Sequence, residues 1–64
     1  MSFAENFRNA RIKTGLTQQQ VADELGFDRT AIAHYEMGDS MPNGRNYQKI
    51  CQLFNITFDE LFKN

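Results

Sequence analysis

The sequence predicts an all-α fold, a single domain over residues 1–64 built from five short helices. Three observations carry this. Ser or Thr stands three residues before Glu or Gln at Ser2/Glu5, Thr17/Gln20 and Thr57/Glu60. That is the spacing of a capping box, which satisfies backbone N–H groups that the first turn of a helix leaves free. Apolar residues then recur at helical spacing after each start, and no stretch alternates apolar and polar residues as a half-buried strand does.

The first helix starts at Phe3, after the Ser2 cap, and turns Phe3, Phe7 and Ala10 to the core at i, i+4 and i+7. Gly15 ends it, and Leu16 tucks beneath before Thr17 opens the second helix. Val21, Ala22 and Leu25 lie on one face of that helix, and Gly26 stops it. Asp28 is the N-cap of the third helix, where its carboxylate is expected to accept an orphan N–H. Ala31, Ile32 and Tyr35 form the third helix's apolar stripe, and Gly38 closes it. The segment DSMPNGRN has no periodicity, and Pro42 holds Met41 extended, so this is a loop. Asn43 caps a fourth helix bearing Tyr47, Ile50, Cys51 and Phe54. Asn55 stops it, and Thr57 starts a last short helix with Phe58, Leu61 and Phe62.

Residues 17–38 are the organising unit: two short capped helices with too few residues between them to lie antiparallel. They must cross steeply, which is a helix-turn-helix, and the second helix is then free to enter a DNA major groove. Tyr35, Ile32 and Val21 share the buried face, so they belong to the core and not to a stacking platform.

Composition narrows the function. A chain of 64 residues holds one small core, which six Phe and two Tyr help to fill. No apolar run approaches the ~20 residues that span a bilayer, and no signal peptide is visible, so the expected location is the cytoplasm. The lone Cys51 can form neither an internal disulfide nor a Cys-based zinc site and reads as a small buried hydrophobe. His34 has Gly38 at i+4, so no metal pair forms there. No paired carboxylates, triad or phosphate loop appear, so no enzyme, cofactor or small-molecule effector is expected. Net charge is −1 but unevenly spread. Residues 14–40 carry Arg29 against Asp23, Glu24, Asp28, Glu36 and Asp39, whereas basic residues prevail in both flanks.

Across nearly the whole chain the residues also match a known family. Arg11, Gly15-Leu16-Thr17-Gln18, Val21-Ala22, Leu25-Gly26, Ile32, Glu36, Gly38, Pro42, Ile50 and Asp59-Glu60-Leu61 stand in order and at the right spacing. The chain thus resembles the phage-repressor-like helix-turn-helix family of the lambda-repressor/Cro type. The resemblance implies a five-helix DNA-binding domain. It implies that Gln18 bonds a phosphate and braces the third helix, that Arg29, Thr30, Ala33 and His34 read bases, and that the segment from Asn43 to Arg45 grips phosphate. It further implies an ion pair between Arg11 and Glu36 joining the first helix to the third. The chemistry of the residues agrees: Arg29 suits guanine O6 and N7, and Ala33 suits a thymine methyl.

The expected function is a sequence-specific DNA-binding transcriptional regulator, a repressor. The rival is a protein-interaction module on the same fold, such as an antitoxin-like or regulatory subunit. The acidic balance favours the rival, and Gln18, Arg29 and Thr30 favour DNA. A homodimer is expected through the C-terminal helix, with Phe54, Phe58, Leu61 and Phe62 as its apolar surface.

Overall fold

Five helices follow one another in the computed structural model, which describes residues 2–63: α1 Phe3–Thr14, α2 Gln18–Leu25, α3 Arg29–Met37, α4 Gly44–Phe54 and α5 Phe58–Leu61. Among the described residues there is no strand. Each start sits where the sequence places a cap. Ser2, Thr17 and Thr57 each accept the N–H of the residue three positions on, and its Glu or Gln reaches back, completing three capping boxes. Asn43 accepts from the Asn46 N–H at 3.0 Å. Asp28 is the exception. It occupies the N-cap position of α3 with extended backbone, but its side chain makes no capping hydrogen bond.

The turn between α2 and α3 depends on Gly26. Its φ is +75°, and nothing lies within 4 Å of where a Cβ would stand. Backbone conformation, not lack of room, therefore requires glycine here. Asn55 ends α4 at φ 56°, the one positive-φ position without glycine among the described residues.

α1 packs against α3, α4 and α5, while α2 packs against α3 and α4. Phe7, Val21, Ala22, Ile32, Ile50 and Leu61 are fully buried, with Phe3, Leu25, Tyr35 and Phe54 nearly so. Phe7 sits at the meeting point. Its ring lies 5.2 Å from that of Phe54 and 5.7 Å from that of Tyr35, both edge-on. Edge-to-face contacts of this kind add to the area that each ring removes from water.

The C-terminal end departs from expectation. Phe54 and Leu61, expected on a dimer surface, are core residues, 5% and 0% exposed. Phe62 is half-buried and stacks on Phe3 at 5.6 Å. The reason is that α5 is a single turn folded back onto α1, so its apolar side chains close the monomer's own core. Only Phe58 stays outside, at 55% exposure. Cys51 is half-buried beside it, in a shallow groove with Tyr47, Ile56 and Phe58. Burial, and secondarily the Glu60 carboxylate, push the Cys51 thiol above its usual range.

The fold-back is secured by Asn6. Its Nδ2 donates to the carbonyl oxygens of Leu61 at 2.8 Å and Lys63 at 2.7 Å, satisfying groups that the end of α5 leaves open. Asn6→Ala is expected to lower stability by about 1–2 kcal/mol, the scale of two such bonds, read from the urea midpoint. An unchanged midpoint would mean that α5 holds its place by apolar packing alone.

Candidate nucleic-acid interface

α3 is held by one charged cluster. Arg11, in the last turn of α1, gives Nε to Glu36 Oε2 at 2.6 Å and Nη2 to Glu36 Oε1 at 3.1 Å. The fork is bidentate, and both side chains are largely shielded, at 15% and 6% exposure. The remaining nitrogen, Nη1, donates to the Leu16 carbonyl at 2.9 Å, in the turn before α2. Gln18 Nε2 adds a bond to Glu36 Oε1 at 3.3 Å. Four points are thereby joined: α1, the α1–α2 turn, the start of α2 and the end of α3. The Gln18 bond is the brace to the third helix that the family resemblance implies; the Leu16 contact was not legible in sequence, because it depends on how the turn folds over Arg11.

From this anchor α3 projects its other side outward. Arg29 and Thr30, in its first turn, are exposed, and so is His34 one turn later. Ala33 is half-buried and lines a groove with Arg8, Arg11, Gln18, Glu36 and Met37. Gln18 and Ala33 are thus brought together, and Arg29, Thr30 and His34 share the exposed side of the same helix. Asn43 and Arg45 are exposed at the start of α4, outside that groove. The Asn43 side chain is engaged as a cap, leaving Arg45 as the free charge there.

Arg8 was missed in the sequence reading. It is an exposed cation one turn before Arg11, at the edge of the groove that Gln18 and Ala33 share. The signal available was its i, i+3 relation to Arg11, which puts the two on one helix face. Of the central acidic residues, Asp23 accepts from Gln19 Nε2 at 2.9 Å and Glu36 is consumed by Arg11. Asp28 and Asp39 are exposed.

A family model described as helix-turn-helix matches residues 7–61. The chain belongs to the helix-turn-helix family. Among helix-turn-helix relatives, the transcriptional activator BcrR of Enterococcus faecalis is 39% identical over 95% of this chain and 30% of its own length. The cryptic phage CTXphi transcriptional repressor RstR of Vibrio cholerae is 38% identical over 95% of this chain and 54% of its own length. The chain therefore spans under a third of the first relative's length and about half of the second's. A solved structure, the restriction-modification controller protein C.AhdI of Aeromonas hydrophila, superposes with a TM-score of 0.85 at 30% identity, covering 94% of this chain and 91% of that one.

Removing one partner of a shielded pair leaves the other charge uncompensated. Glu36→Gln is therefore expected to destabilise the fold by roughly 3 kcal/mol in urea unfolding. A variant as stable as the original would show that the pair contributes no more than a surface contact does.

Proposed function

We propose that this chain is a sequence-specific DNA-binding regulator of transcription, acting in the cytoplasm as a non-enzymatic protein. The carrying observation is the outward first turn of α3, with Arg29 and Thr30 exposed at its N-terminal end and the opposite end anchored through Glu36. In helix-turn-helix docking, that N-terminal turn meets base edges in the major groove. Arg29 donates to guanine O6 and N7, Thr30 and His34 add hydrogen bonds, and Ala33 meets a thymine methyl. Gln18, Asn43 and Arg45 set the register on phosphates. Arg8 extends the phosphate contact from α1.

Regulation by repression needs only that occupancy exclude a competing protein, whereas activation needs a second productive contact. Repression is therefore the simpler outcome of this surface. The rival protein-interaction role rests on the acidic centre, from which Arg11 withdraws Glu36.

Binding by a single copy draws on few cations, so we infer a homodimer that reads two half-sites roughly 34–36 Å apart. With Phe54 and Leu61 inside the core, Phe58 is the remaining apolar anchor of the expected interface. Its ring lies against those of Tyr47 at 5.4 Å and Phe62 at 4.9 Å, forming the rim of the α4–α5 groove.

Two measurements test this reading. Wild type is expected to enrich particular genomic fragments in a pull-down, and Arg29→Ala/His34→Ala to lose that enrichment; the same fragments recovered by both would refute base reading by α3. In sedimentation at tens of micromolar, wild type is expected to run as a dimer and Phe58→Ser as a monomer. A monomeric wild type whose state does not change on DNA would refute the dimer.

A further inference from the structure

The cap of α3 is chemically unlike the others. At the other four helix starts the N-cap oxygen accepts a backbone N–H: Ser2 from Glu5, Thr17 from Gln20, Asn43 from Asn46 and Thr57 from Glu60. Asp28 stands in the same extended backbone geometry, φ −79° and ψ 150°, but its carboxylate takes no capping bond. It is exposed, and among the described residues the one ion pair is Arg11–Glu36, so the neighbouring Arg29 does not neutralise it. A carboxylate is thus held uncommitted next to the residues that lead α3 outward.

On a DNA-facing surface such a group is costly almost everywhere. Phosphate oxygens repel it, and so do guanine N7 and O6 and thymine O4, which are acceptors. The major groove offers two donors that match it, the amino groups of cytosine and adenine. Adenine places its N7 acceptor beside the amino group, facing the second carboxylate oxygen. Cytosine's own edge has no acceptor next to N4, so cytosine accommodates a carboxylate better.

We propose that Asp28 is a specificity-determining residue that selects cytosine at one position of each half-site. This rests on the DNA-reading role of α3 argued above. Asp28 and Arg29 then form an adjacent acceptor and donor, matched to cytosine and guanine respectively. The carboxylate discriminates in both directions: it bonds the cytosine amino group and repels sites that present an acceptor there.

The test is selection of duplexes from a random library by wild type and by Asp28→Asn. Asn pairs with adenine through N6 and N7, so its preference differs from that of Asp. The Asp28 side chain makes no capping bond, and its backbone bond from Ala31 is kept by asparagine, so the urea midpoint of Asp28→Asn is expected to match wild type. Wild type is expected to select a motif with one cytosine position per half-site that changes to adenine in Asp28→Asn, with the cytosine preference there reduced about tenfold. If Asp28→Asn selects the same motif and only binds every sequence more tightly, the carboxylate merely repels phosphate and the assignment is wrong. If wild type selects no motif at all, the DNA-reading role of α3 fails first and this assignment falls with it.

Discussion

The structure depends on the fork between Arg11 and Glu36. A helix of nine residues such as α3 has little stability of its own in water. It keeps a defined direction because Ile32 and Tyr35 are buried on one side and Glu36 is clamped at its far end. Apolar burial is non-directional and sets depth more firmly than angle. A bidentate guanidinium–carboxylate contact adds the geometric definition that burial lacks. Because Arg11 also holds the Leu16 carbonyl, the same side chain sets both where α2 begins and how α3 lies across α1.

This clustering bears on the charge problem. A chain of net charge −1 is a poor polyanion ligand if its carboxylates are free. Glu36 faces inward to Arg11, and Asp23 is engaged by Gln19, while Arg8, Arg29 and Arg45 remain exposed. The pair removes one charge of each sign and leaves the balance unchanged, and Asp23, Glu24, Asp28 and Asp39 stay exposed alongside those arginines.

Most of the fold was legible because its punctuation is local. A capping box spans four residues, and a left-handed stop is one glycine or asparagine, so Ser2, Thr17, Gly26, Asn43, Asn55 and Thr57 could each be read within a few residues. What was not legible involves partners distant in sequence. The Asn6 bonds to Leu61 and Lys63 span 55 and 57 residues, and no periodicity encodes them. The same fold-back took Leu61, and contact with Phe7 took Phe54, from the expected dimer surface into the core, since a helical stripe does not say which neighbour will cover it. Asp28 differs in kind: its position was readable, but whether its carboxylate turned to the helix was not. The Arg11–Glu36 pair and the Gln18 brace to α3 followed from the family pattern, whereas the Leu16 contact and Arg8's place at the groove needed the packed turn.

The burial of Val21, Ile32 and Tyr35 has a consequence for modularity. Their cover comes in part from outside residues 17–38, since Phe7 and Phe3 of α1 meet Tyr35 edge-on and α4 packs on α2. The stretch easiest to recognise is therefore the one least fit to be excised. Grafted elsewhere, it would expose a greasy underside and lose its direction. Exchanging its outward side chains in place leaves that underside covered, so a lineage can rewrite what the surface recognises while the scaffold beneath stays the same.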